Sequence, residues 1–307
     1  MRSRIASKTV PGTRLLDPTV LSRIGNLELV ARTVVEGFIS GLHSSPFLGL
    51  SLDFAAHRPY MPGDDIRKVD WRVFARTDRF YVKEYEAETN ANVFFALDIS
   101  RSMDYGSGEV TKLEYARFMT ACLAYLSAGQ RDRVGAATFD SGLVDHVFPS
   151  VRNRRLVLAA LDRARAERAG DLLDPLRKIG ESLRRRGLVV LVSDLYARPR
   201  AVLDAVAALK SKGHDVIVFH VLDPAELSFP FDTPRSFEDL ETGERIPITP
   251  DEMGKEYLEQ VEAHTSELAQ LMAQNRIDYE LFDTSEPLDG ALFRYLSLRE
   301  KRLKGRS

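Results

Sequence analysis

The pattern of apolar and polar positions changes near residue 90. From about residue 28 to 88, Gly, His, Ser, Pro and paired charges interrupt every period. Two short elements stand out in the first ninety residues. One is a helix from Pro18 to about Leu27; the other is an alternating strand over 78–88 (DRFYVKEYEAE), where Phe80, Val82 and Tyr85 compete for a buried side. The cluster RPYMPGDD (58–65) is a turn centred on Pro62-Gly63, and residues 1–15 read as a loose arm.

From Asn92 the rhythm is regular. NVFFALD (92–98) and LVVLVSD (188–194) are unbroken apolar runs of strand length, as expected of strands buried on both faces of a parallel sheet. DVIVFHVLD (215–223) and RIDYELFDT (276–284) supply further strands, and RVGAATFD and LVDHVFPS flank Ser141-Gly142 as a hairpin. Thr111-Lys112-Leu113-Glu114 has the form of a capping box and opens a helix to about Ser127. Other helical segments fall at about 152–166, 172–186, 200–212, 250–274 and 288–303. Residues 224–250, with five prolines and a Thr242-Gly243 turn, read as an inserted loop or hairpin. The alternation predicts an α/β domain over 91–303 with a doubly wound, mostly parallel sheet and the 224–250 insert in its C-terminal half. An irregular N-terminal extension, 1–90, precedes it.

Composition narrows the picture modestly. At 307 residues and 44% hydrophobic content the chain can bury a large core, and a net charge of -2 gives no global attraction to nucleic acid or an anionic membrane. The arginine runs RNRR (152–155) and RRR (184–186) and the tail RLKGRS read as solvated faces. The single cysteine, Cys122, lies in an apolar helical run, so it is core filling and not part of a disulfide framework, which suits a reducing compartment. No apolar stretch approaches the roughly 20 residues that span a bilayer, and the basic N-terminus lacks the apolar region of a secretory signal. The expectation is a cytoplasmic protein with no membrane span and no nucleic-acid partner.

Chemistry concentrates where two of the strands end. In doubly wound sheets ligands bind at the carboxyl ends of the strands, and Asp98 and Asp194 each close an apolar run, so they should share one edge. Ser100 and Ser102 follow Asp98 at alternate positions. Burying these oxygens unpaired would cost about 1–3 kcal/mol each, so something should meet them. The string Asp98-x-Ser100-x-Ser102 after an apolar strand, with Asp194 after another, resembles the metal-ion-dependent adhesion site of von Willebrand factor A domains. That resemblance implies Mg²⁺, with Mn²⁺ as a substitute, held by Asp98, Ser100, Ser102 and Asp194 and completed by a partner's carboxylate. Magnesium suits such a set because it takes octahedral oxygen ligands and keeps several waters. The family's second loop carries a threonine; in ERAGDLLDPL (167–176) Gly170 takes that position with Asp171 beside it. Either Asp171 substitutes as a ligand, or the site is degraded. The alternative for the whole constellation is turn and capping chemistry with no metal.

A second resemblance covers nearly the whole chain. SLDFAAHRPYMPGDDIRKVDWRVFARTDRFYVKEYEAE (51–88) contains Asp53-Phe54, Arg58 to Asp65, Asp70-Trp71, Ala75-Arg76 and Val82 to Glu86. Together with FEDLETGERIPI (237–248) and YELFDTSEP (279–287), these are similar to the DUF58 family of proteins of unknown function. The resemblance implies a von Willebrand A-like domain and, as partner, a MoxR-type AAA+ ATPase or a client protein in chaperone-like assembly or maturation. Within 58–76, Asp64, Asp65 and Asp70 alternate with Arg58, Arg67, Arg72 and Arg76 around Trp71, the chain's only tryptophan. This segment is either a partner surface or an internal clamp, and the clamp is favoured because irregular backbone needs side-chain hydrogen bonds. His43 and His57 read as structural, and His146, His214 and His220 as strand residues without a partner.

Three functional classes are compatible with these residues: a non-enzymatic adaptor gripping its partner through magnesium, a metal-free interaction scaffold, and a hydrolase with a metal on Asp98, Asp104 and Asp194. The last is disfavoured. The sequence offers no nucleophile-base pair, no G-x-x-x-x-G-K loop and no histidine-rich ligand set, and GSGE (106–109) is too short to cradle a triphosphate.

Overall fold

Six strands form one sheet, and the longest apolar runs occupy its centre. The computed structural model describes residues 17–44, 56–60, 80–84, 91–233, 235–240, 245–248 and 250–304. Among these, the elements in chain order are helices α1 (Pro18–Leu21) and α2 (Leu27–Ser44), strands β1 (Ala56–Pro59), β2 (Tyr81–Glu84) and β3 (Asn92–Asp98), then a 3-10 turn at Arg101–Asp104. Helix α3 (Lys112–Gly129), strands β4 (Arg133–Phe139) and β5 (Leu143–Ser150) and helices α4 (Arg154–Arg163) and α5 (Leu173–Ser182) follow. Next come β6 (Leu188–Ser193), α6 (Pro199–Ser211) and β7 (Asp215–Leu222). The insert holds α7 (Pro224–Ser228) and the hairpin β8 (Arg235–Glu238) with β9 (Arg245–Ile248). Helix α8 (Pro250–Gln274), strand β10 (Asp278–Asp283) and helix α9 (Leu288–Lys304) end the described chain.

The strand order is β10-β7-β6-β3-β4-β5. All pairs are parallel except β4 with β5, the predicted hairpin. Its register shifts at Gly135, where a Cβ would lie 2.6 Å from the Val147 carbonyl oxygen; only glycine lets the two backbones approach that closely there. Alternate residues of β3 feed opposite faces of the sheet. Val93, Phe95 and Leu97 pack with α2, α3, α4 and α9, while Phe94 and Ala96 pack with α5, α6 and α8. Helices therefore cover both faces, which is the doubly wound α/β architecture expected from the alternation.

The N-terminal region departs from expectation. Residues 27–44 form a helix where no regular element was expected, and Leu27, Val30, Ala31, Val34, Val35 and Phe38 are buried in the main core. Their spacing of three and four is that of one helix face. A boundary at residue 90 thus does not separate an extension from the core, because α2 is part of that core. Within the predicted strand over 78–88, Tyr81–Glu84 is a strand among the described residues and pairs antiparallel with Ala56–Pro59. Residues 1–16 and most of the 58–76 segment, including Trp71 and its acidic and basic neighbours, lie outside the described residues, as do the side chains of His43 and His57.

Candidate functional site

Parallel pairing of β3 with β6 brings their carboxyl ends to one edge of the sheet, with Leu97 level with Val192. Asp98, Ser100, Ser102 and Asp194 accordingly gather there, and all four are buried. Asp98 accepts the Ser100 N–H at 2.8 Å on one oxygen and the Ser193 hydroxyl at 2.6 Å on the other. Ser193 in turn accepts the Leu195 N–H at 2.9 Å, which folds the third loop back on itself; Leu195 has a φ of 50°, a left-handed conformation unusual for a branched residue. The Ser100 and Ser102 hydroxyl oxygens are 3.1 Å apart, and Ser102 also hydrogen-bonds Asp194.

The charge on Asp194 is balanced by a residue of this chain. Lys112, the first residue of α3, sends its ammonium into the cluster, 2.9 Å from Asp194 Oδ2 and 2.7 Å from Glu226 Oε1. Its side chain is 1% exposed, and its Nζ lies 5.8 Å from the centre of the Tyr105 ring. Glu226 belongs to the insert. There it closes a capping box on α7, its other oxygen accepting the Asp223 N–H at 2.8 Å, while Asp223 accepts the Ala225 N–H. Asp223 also accepts the Ser107 N–H at 2.9 Å, so the 106–109 turn and the insert are tied together beside the cluster.

These contacts set the protonation states. Burial lifts Asp98 to about 7, and the neighbouring Asp194 carboxylate adds to the rise. Burial also pushes Asp194 upward, but the Lys112 ammonium outweighs it and holds that carboxyl below its ordinary value. Burial opposes the charge on Lys112, and Asp194 with Glu226 more than compensates, so the ammonium is held more firmly than in water. One carboxylate is thus ionised and paired while its neighbour is largely protonated below neutral pH.

The magnesium implied by the adhesion-site resemblance does not fit these residues. Asp194 is already neutralised by an ammonium within hydrogen-bonding distance. At Gly170 the second loop has no side-chain oxygen to offer. Its backbone runs beside Ser100, with the Arg101 N–H donating to the Arg168 carbonyl at 2.7 Å, and a Cβ at Gly170 would fall 2.5 Å from Ser100 Cβ. The space at Gly170 would therefore not admit a threonine without displacing Ser100. Asp171 does not take over. It is exposed, and its carboxylate accepts the N–H groups of Leu173 at 3.1 Å and Asp174 at 3.4 Å, capping α5. Asp104 is exposed as well, and among the described residues no three His, Cys, Asp or Glu side chains converge as metal ligands.

Beside the cluster lies a cavity of about 520 Å³, lined by Tyr196, His220, Glu226, Tyr257, Val261 and His264 among others. His220 does have a partner, contrary to expectation: its Nδ1 lies 2.7 Å from the Tyr279 hydroxyl. Burial lowers its pKa to about 3, so it is neutral. His146 also has one, the Ser182 hydroxyl at 3.2 Å, and packs edge-on against Phe94. The sequence reading missed Lys112, Ser193, Asp223 and Glu226. A signal for Lys112 was present: a lysine at the first helical position opposes the helix dipole and needs an anion nearby.

Comparisons with known proteins agree with this geometry at the level of family and fold. The model of the family described as protein of unknown function DUF58 matches residues 56–267. Uncharacterized proteins of Mycobacterium tuberculosis and Mycobacterium bovis are 29% identical over 238 residues, covering 74% of this chain and 73% of theirs. Among solved structures, BatB from Bacteroides thetaiotaomicron shares 18% identity at a TM-score of 0.47, covering 69% of this chain and 99% of that one. An aerotolerance-related membrane protein from Bacteroides fragilis shares 19% at 0.47, covering 66% and 97%. The SpRpn10 VWA domain shares 12% at 0.39, covering 65% and 92%. The fold is a mixed, mostly parallel six-stranded sheet with flanking helices, and its neighbours among solved structures include this VWA domain. The expected cytoplasmic location does not stand, since similar solved structures are described as membrane proteins. No helix among the described residues is long and apolar enough to cross a membrane.

Proposed function

The chain belongs to the DUF58 family, and from that premise we propose that it is a non-enzymatic interaction scaffold whose strand-end cluster works without a metal ion. The observation that carries this reading is Lys112. An ammonium with 1% exposure between Asp194 and Glu226 supplies the positive charge that a metal would bring, and it leaves the cluster closed. The same closure speaks against hydrolysis, because it presents neither an activated nucleophile nor a metal-bound water. Recognition then falls to surfaces around the cluster, among them the cavity flanked by Tyr196 and Tyr257 at the sheet edge where doubly wound folds take their ligands.

The partner implied by the family resemblance is a MoxR-type AAA+ ATPase or its client, in chaperone-like assembly or maturation. The competing form of the reading is a magnesium-completed adaptor, favoured by the two serine hydroxyls 3.1 Å apart beside Asp98. Capture of a purified MoxR-type ATPase by the full chain in Mg²⁺ and in EDTA separates the two. Equal capture is expected. Capture that fails in EDTA and returns with Mg²⁺ would replace the metal-free form with the magnesium one, and no capture in either would remove this partner.

A further inference from the structure

Lys112 occupies an awkward position for a lysine. It is the first residue of α3, where its charge opposes the helix dipole, and it is buried where an ammonium loses its hydration. What holds it is the meeting of three separate loops: the segment after β3, the end of β6 with Asp194, and the insert with Glu226. Its partner Asp194 stands beside oxygens of the kind a cation site uses. The Ser100 and Ser102 hydroxyls are 3.1 Å apart, close to the roughly 3.0 Å edge of an octahedron with 2.1 Å metal–oxygen bonds. Ser102 is hydrogen-bonded to Asp194, and Asp98 is fixed through Ser100 and Ser193. Only the second loop withholds an oxygen, at Gly170.

We propose that the Lys112 ammonium is a tethered replacement for a divalent cation, and that removing it uncovers a cation site made of Asp98, Ser100, Ser102 and Asp194. This rests on the metal-free reading of the cluster, and it adds the reason the cluster is metal-free: a dication beside the serine hydroxyls would be repelled by a fixed positive charge that already satisfies Asp194. With the ammonium gone, the same oxygens surround an uncompensated negative charge, and a hard dication is the ligand that charge and donor type select.

The test uses the full chain and Mn²⁺ as probe, read by electron paramagnetic resonance, with the thermal midpoint compared in Mg²⁺ and in EDTA. Wild type and Lys112→Arg should bind no Mn²⁺ that Asp98→Asn abolishes, and should unfold at the same temperature in both buffers. Lys112→Met should gain about one Mn²⁺ per chain, lose it when Asp98→Asn is added, and unfold later in Mg²⁺ than in EDTA. Because that variant leaves the buried Asp194 and the part-buried Glu226 without a counter-ion, Lys112→Met/Glu226→Gln serves as the second variant, removing one charge of each sign; it should show the same gain. Stoichiometric Mn²⁺ on wild type that depends on Asp98 would overturn the proposal, as would folded Lys112→Met/Glu226→Gln with no more Mn²⁺ than wild type. No partner protein is involved, so this outcome is independent of whether capture proves sensitive to EDTA.

Discussion

Replacing Lys112 with methionine in metal-free buffer isolates the energetics of the cluster. Methionine keeps most of the apolar stem and removes the ammonium, leaving the buried Asp194 and the part-buried Glu226 without their shared cation. Two charge-assisted hydrogen bonds, at 2.9 and 2.7 Å, are lost together. At about 1.5–3 kcal/mol each they sum to roughly 3–6 kcal/mol, which agrees with the ~3–5 kcal/mol typical when one partner of a buried pair is removed. Relief of the unfavourable dipole interaction at the helix start returns only about 0.3–1 kcal/mol. A net loss of about 3–5 kcal/mol is therefore expected, a large fraction of the ~5–15 kcal/mol that holds a typical domain together. Urea unfolding followed by circular dichroism in EDTA should show the midpoint falling by about 1–1.7 M for an m-value near 3 kcal/mol/M. Adding Glu226→Gln to Lys112→Met should recover part of the loss, since one of the stranded charges is gone. A loss below about 1 kcal/mol, the range of exposed pairs, would refute the reasoning, as would a loss that vanishes in high salt, which screens surface pairs and not buried ones.

Two further perturbations bear on the same cluster. Gly170→Ala should lower the thermal midpoint by several degrees in a melting experiment, because the new Cβ would stand 2.5 Å from Ser100 Cβ and neither atom is the far end of a flexible chain; an unchanged midpoint would mean the second loop does not press on Ser100. Asp98, raised to about 7 from an ordinary value of 3.8, binds a proton in the folded state that the unfolded chain has released, so its contribution is full below about pH 4 and lost as pH rises through 7. Asp194 is shifted the other way and acts below its ordinary value, so the two windows do not overlap. Denaturant titrations between pH 4 and 7 should show stability falling with pH, and Asp98→Asn should flatten the slope; a slope unchanged by that substitution would sink the assignment.

The strands themselves and the shared edge of Asp98 and Asp194 were legible because unbroken apolar runs identify strands buried on both faces. Helix α2 was legible too, in the spacing of Leu27, Val30, Ala31, Val34, Val35 and Phe38. Reading Gly37 and the following Ser, Gly and His residues as breakers obscured it, although a single glycine inside a helix costs only about 1 kcal/mol against alanine. Asp171 invited a ligand assignment by its place next to Gly170, but an aspartate two residues before a helical N–H has a local use that needs no metal.

What neutralises the cluster is a different kind of fact. Strand periodicity establishes that carboxylates and hydroxyls converge at a sheet edge, and hence that a cation is required. It does not say whether that cation comes from solution or from the chain. Lys112 and Glu226 are 114 residues apart, and Lys112 and Asp194 are 82 apart. No local pattern joins them. The one local clue is an inconsistency: Thr111 caps the helix in the usual way, accepting the Glu114 N–H at 3.2 Å, yet the next residue carries the sign of charge that the helix start disfavours. A site-string match reads Asp98, Ser100 and Ser102 and expects a metal, whereas the charge balance of the same loop, read through to residue 112, already contains the cation that would take its place. In this fold the presence of the ligand residues is therefore insufficient to assign a metal site. The deciding question is whether a buried lysine or arginine from the adjoining helix reaches the third-loop carboxylate, and here Lys112 does.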